Sequence, residues 1–177
     1  KIDLKAAGKL FCSTICRNRI PLRQDVEIRS WRDFFKRGEY HMSASKQTAF
    51  DYIDEKAGVI TDVSDKIWDY AELSLREYKS GDLYAKVLKE EGFTVDHPFD
   101  NIETAFRASY GSGKPVIGIL AEYDALTGLS QVAGSEKREE LVADGNGHGC
   151  GHNLLGAGSM AAAFAVKKYL EEKGEGS

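Results

Sequence analysis

Lys114-Pro115-Val116-Ile117-Gly118-Ile119-Leu120-Ala121 is the stretch on which the fold reading turns. After its proline the run is apolar for the length of one strand, the pattern of a strand covered on both faces, and it predicts a central core strand. Upstream, Thr104 to Tyr110 alternates as a half-buried strand does, and Phe93, Val95 and Phe99 predict a short extended segment. Gly111-Ser112-Gly113 is a turn. Farther upstream, Phe50, Ile53, Ala57, Ile60, Val63, Ile67, Ala71 and Leu75 recur three or four apart and predict a helical face, divided at Gly58. A second helix is expected over 80–91, capped by Ser80 and ended at Gly92. Downstream, the polar stretch Ser135 to Glu140 reads as a solvated loop without a catalytic role. A glycine-rich loop follows over 145–151, and Asn153 opens a long apolar helix through Leu154, Leu155, Ala157, Met160, Phe164 and Tyr169. This order predicts an α/β class, with helices packed on a mixed sheet.

The 177 residues suffice for one globular core, and with 42% hydrophobic and 29% charged residues the composition is that of an ordinary soluble domain. No apolar run reaches the roughly twenty residues that cross a bilayer, so no membrane partner is expected. Three cysteines, Cys12, Cys16 and Cys150, do not make a disulfide framework, and reduced thiols in the cytoplasm are the expectation. The net charge of -4 is unevenly spread: residues 1–41 hold 10 Lys and Arg against 5 Asp and Glu. A short basic arm is a weak cue for nucleic acid, and none is expected as a partner. Codons AGG GGA GAA for Arg37-Gly38-Glu39 would instead form a purine-rich ribosome-binding site ahead of Met42. On this reading 1–41 is translated upstream sequence, disordered or non-native, and the catalytic domain runs over 42–177.

The densest chemical signal is Gly145-Asn146-Gly147-His148-Gly149-Cys150-Gly151-His152-Asn153. Imidazole nitrogen and thiolate sulfur suit zinc and similar ions, and the glycines let neighbouring donors converge. The same composition also describes a tight loop whose histidines bond to backbone, so spacing alone leaves metal binding open. A closed structural zinc site would need four protein donors, which this cluster does not supply. A thiol nucleophile at Cys150, activated by His148 or His152, is a second reading, and a structural or storage metal-binding module a third. The other signal is Glu122-Tyr123-Asp124, two carboxylates placed to share one side at the end of the predicted strand. One of them would orient a metal ligand or bind the ion, the alternative being Asp124 as a turn cap.

Val116 to Leu126, Gly128 to Gln131 and Gly147-His-Gly-Cys-Gly-His-Asn-Leu-Leu-Gly156 resemble the aminoacylase and carboxypeptidase-like metallohydrolase family, as do Phe50 to Glu55 and Ile67 to Leu73. The resemblance implies a zinc-peptidase-like catalytic domain, present as an incomplete N-terminal part. It also implies an amidohydrolase that cleaves the amide of an N-acyl amino acid with two divalent ions, zinc or manganese. The family's ligands in this motif carry over to Cys150 and His152, with His148 and Asp124 in supporting positions. Asn153 stands where an acid is usual, and Thr127 where proline is frequent. The resemblance further implies that the general-base Glu, more ligands and a pairing domain come after Ser177. Glu171-Glu172, at the polar end of a helix, read as surface charges. A small amide substrate and a homo- or hetero-oligomeric full-length protein are the expected partners.

Overall fold

The computed structural model describes residues 43–174. The start expected at Met42 and the reading of residues 1–41 lie outside them. Four helices and two short strands are present in the described residues: α1 (Ala44–Glu55), α2 (Ala57–Tyr70), α3 (Tyr78–Glu90), β1 (Thr94–Asp96), β2 (Arg107–Ser109) and α4 (His152–Lys173).

The three-and-four spacing of Ile60, Val63 and Ile67 places them on one face of α2, where all three are buried. They pack with Tyr84 and Leu88 of α3 and with Ala157, Met160, Ala161 and Phe164 of α4 to form the core. The chain divides at Lys56 rather than Gly58. Gly58 falls in the first turn of α2, where backbone N–H groups have no intrahelical acceptor, so it breaks no ladder. Lys56 itself is held at 2.7 Å by Glu91 at the end of α3.

Two of the residues expected to extend that helical face leave it. Ala71 takes a left-handed conformation (φ 44°) and ends α2, and Leu75 lies beyond it, 68% exposed. The chain peels away because residues 72 and 73 bond across to Ala125, whose N–H donates to the Glu72 carbonyl at 2.7 Å. Ser80 is a buried residue inside α3 instead of its cap. The capping role falls to the Glu72 carboxylate, which accepts from the N–H groups of Lys79 and Ser80 at 3.0 and 2.9 Å and from the Ser80 hydroxyl at 2.8 Å. A carboxylate there satisfies orphan donors and meets the positive end of the helix dipole.

The two expected strands pair antiparallel, with Val95 opposite Ala108. The predicted central strand is corrected: residues 116–121 form no strand, and Val116 and Leu120 are 75 and 82% exposed. An apolar run becomes a central strand only when neighbouring strands flank it, and among the described residues none does. The described residues therefore form helices with a two-stranded antiparallel sheet, a mixed α and β architecture, and among them no larger mixed sheet is present. The 135–140 segment is largely exposed, as a solvated loop should be.

Phe164 is fully buried between the helices, 0% exposed, whereas Tyr169 on the same helix is 38% exposed. Phe164→Ala is expected to destabilise the fold by about 3–5 kcal/mol. Tyr169→Ala is expected to cost less than about 1.5 kcal/mol. Urea unfolding followed by circular dichroism measures both.

Candidate metal centre

Helix α4 opens directly on the glycine-rich loop. Gly151 takes a left-handed conformation (φ 77°), its carbonyl accepts from Leu154 and Leu155, and His152 is the first helical residue. The segment carrying the two carboxylates is laid beside it by two backbone attachments. Leu126 and Gly147 exchange N–H to carbonyl bonds at 3.0 and 2.9 Å, and Ala125 is tied to Glu72. Gly147 is required here, because a Cβ would stand 1.9 Å from the Leu129 carbonyl oxygen.

These attachments bring Glu122 and Asp124 to opposite edges of one imidazole. His152 Nδ1 lies 2.7 Å from Asp124 Oδ1, and its Nε2 lies 3.3 Å from Glu122 Oε2. The ring and Asp124 are largely buried, with 18 and 23% of their side chains exposed, while Glu122 is half exposed. With Asp124 as acceptor, Nδ1 carries the proton and the ring orientation is set by that bond. Nε2 then either donates to Glu122 or, without a proton, turns a lone pair to the same place.

His148 is differently employed. It is 5% exposed, its Nε2 lies 2.9 Å from the Ile67 carbonyl at the end of α2, and its ring stacks on Trp68 with centroids 6.2 Å apart. Burial pushes its pKa below the usual imidazole value, so the neutral ring donates Nε2–H to that carbonyl. Its Nδ1 is buried and has no partner among the described residues. Asn153, also buried, reaches Ser64 of α2 through its amide nitrogen, 3.2 Å from the hydroxyl. The loop is thus pinned to α2 on both sides of its cysteine. Cys150 itself is exposed, with a free thiol.

Of the sequence-named residues, the structure joins His152 to Asp124 and Glu122, buries His148 against α2, and leaves Cys150 at the surface. Among the described residues no three His, Cys, Asp or Glu side chains converge closely enough to hold an ion. The donor types nevertheless suit a borderline ion: an oriented imidazole, a carboxylate on its far edge and an exposed thiol two residues earlier. Glu171 is excluded from this chemistry by distance, since nineteen helical residues put it about 28 Å along α4 from His152. It pairs with Lys167, a hydrogen bond that holds its carboxyl below the usual range.

Sequence reading missed Glu72, Trp68 and Ser64. Trp68 and Glu72 lie in the Ile67–Leu73 run that carries the resemblance, but no role was read for them, and the roles of all three arise from contacts with other segments. The weak available signal was Glu72 standing eight residues before Ser80, at the mouth of the next helix.

No family model matches the chain. It is 53% identical over 116 residues to a p-aminobenzoyl-glutamate hydrolase subunit of Escherichia coli K12, a match covering 66% of this chain and 24% of that protein. It is 28% identical over 147 residues to the human Xaa-Arg dipeptidase and 29% over 136 residues to the mouse protein, covering 76 and 71% of this chain and 30 and 28% of theirs. The chain thus spans about a quarter to a third of the length of these curated relatives. All three are named for cleaving a bond to an amino acid. Across two thirds of its length, this chain is similar in sequence to a p-aminobenzoyl-glutamate hydrolase.

Proposed function

We propose that this chain is the front part of a metal-dependent amidohydrolase with a zinc-peptidase-like catalytic domain. Its reaction is hydrolysis of the amide of an N-acyl amino acid, with p-aminobenzoyl-glutamate as the substrate to test first. The observation that carries the reading is His152 held at Nδ1 by Asp124, which leaves Nε2 to face a second carboxylate. Carboxylate, imidazole and cation in that order form the arrangement by which proteins orient a histidine ligand.

Cys150 as thiolate and His152 as neutral imidazole are the proposed ligands, with Asp124 orienting His152. Glu122 is close enough to Nε2 to share the ion. Two ions, zinc or manganese, would lower the pKa of bound water toward about 7 and polarise the amide carbonyl. His148 takes no part as a ligand in this reading. Its neutral ring anchors the loop to α2, so that Cys150 and His152 are presented from a fixed base. A reducing, cytoplasmic setting, which would keep Cys150 available as a thiolate, is part of this proposal. The active protein, of the relatives' length, is proposed to be oligomeric, in keeping with a relative whose name makes it part of a larger assembly.

The tautomer is directly measurable. In long-range 15N–1H spectra of the 177-residue chain at pH 8.5, His152 is expected to carry its proton on Nδ1, and Asp124→Asn to remove that preference. A ring protonated on Nε2 in the unsubstituted chain contradicts the assignment.

Activity is tested in a protein of the relatives' length that carries this segment. Asp124→Asn should reduce activity or metal affinity by about 10–100-fold, the range for a residue that orients a ligand. Cys150→Ser and His152→Ala should each exceed that loss without unfolding the protein. A chelator should abolish hydrolysis and added zinc or manganese restore it. Survival in chelator together with loss on alkylation would establish the cysteine-nucleophile reading instead. Collapse of the fold on substitution of either ligand would establish a structural metal module. The isolated 177 residues are expected to bind metal weakly and to show no turnover.

A further inference from the structure

Between the two carboxylates that meet His152 stands a residue with different partners. Tyr123 is half-buried, and its ring packs on Phe106, with centroids 5.9 Å and planes 19° apart, and on Tyr84 at 5.1 Å and 45°. Its hydroxyl donates to the backbone carbonyl of Thr104, in the connection between β1 and β2. Burial raises the pKa of this tyrosine, so the hydroxyl stays protonated and remains a donor.

The acceptor is fixed on its own account. Thr104 is 4% exposed, and a Cβ on Gly81 of α3 would stand 2.8 Å from its carbonyl oxygen, so that carbonyl lies directly against the helix. The next carbonyl, of Ala105, accepts from the Phe99 N–H at 3.0 Å and faces His97 Nδ1 at 2.9 Å. The backbone attachments of the carboxylate segment, by contrast, only flank the tyrosine. On one side the Leu120 carbonyl accepts from the Ser159 hydroxyl at 2.7 Å, and on the other the Ala125 N–H donates to Glu72. No backbone–backbone hydrogen bond among the described residues involves 122, 123 or 124. The Tyr123 side chain is therefore what holds the middle of this segment to the core.

We infer that Tyr123 is a positioning residue: tethered at Thr104, it sets the segment carrying Glu122 and Asp124 at the distance from which Asp124 orients His152. The inference rests on the proposed role of Asp124 and adds to it the residue that fixes that carboxylate in place. Tyr84 supplies a comparison within the same aromatic cluster. Its hydroxyl is buried but has no partner among the described residues, so removing it takes away an oxygen without cutting a tether.

Tyr123→Phe, Tyr84→Phe and the unsubstituted 177-residue chain are compared in long-range 15N–1H spectra at pH 8.5, with circular dichroism confirming that each is folded. Both substitutions keep the ring and its packing. Tyr123→Phe is expected to lower the ratio of Nδ1- to Nε2-protonated His152 by about threefold to tenfold, the scale of one hydrogen bond. Tyr84→Phe is expected to leave it unchanged, and His148, bonded through Nε2, should be the same in all three chains. An Nδ1 proton in the unsubstituted chain with an unaltered ratio in Tyr123→Phe overturns this inference alone. So does an equal fall in Tyr84→Phe, which would trace the effect to the packing of the rings. An Nε2 proton in the unsubstituted chain overturns the role of Asp124 and this inference together.

Discussion

The close approach of α4 to the Glu122 backbone is the constraint on which both fold and site depend. A Cβ on Gly156 would lie 2.3 Å from the Tyr84 hydroxyl and 2.8 Å from the Glu122 carbonyl, distances no alanine tolerates. Glycine at this position lets three elements meet without a side chain between them. His152 stands four residues earlier on the same helical face, so the contact that seats α4 against α3 also sets the imidazole beside the carboxylate segment. The core aromatic Tyr84 and the candidate ligand His152 are thereby positioned by one packing decision. Core and chemistry cannot be separated here, because the helix that fills the first carries the second at its tip.

Around that constraint, the loop from Gly147 to Asn153 divides its labour. His148 and Asn153 face α2, where each finds an acceptor or a hydroxyl, and their burial makes the loop a rigid base. Cys150 and His152 lie between these two anchors and are not bonded to α2. His152 meets carboxylates at both of its nitrogens, while Cys150 is free at the surface. Glycines at 147, 149 and 151 make this division possible in so short a span. Nothing in such a loop obliges all its histidines to share one role.

Much of this was legible in the residues. Helical periodicity located the faces of α2 and α4, because burial of a helix on one side imposes a spacing that the sequence records. The glycine loop and the Glu122–Asp124 pair were also visible, since donor chemistry is carried by residue type. What could not be read was what each segment would meet. The run from Val116 to Leu120 carries the composition of a buried strand, but burial requires neighbours, and none among the described residues flanks it. Glu72 illustrates the same limit. Its carboxylate caps α3 and its carbonyl anchors Ala125, yet neither role leaves a pattern in the local sequence. Gly58 misleads for the opposite reason, since a residue costly inside a helix is harmless in its first turn.

The coordination shell of the loaded protein gives the most direct test of the metal-centre reading. X-ray absorption at the zinc edge, on zinc-loaded protein of the relatives' length, reads the identity of the donors rather than the consequences of losing them. One sulfur at about 2.3 Å, together with imidazole nitrogen at about 2.0–2.1 Å, is the expected result, the sulfur vanishing in Cys150→Ser. A shell of oxygen and nitrogen alone, unchanged by that substitution, would contradict it.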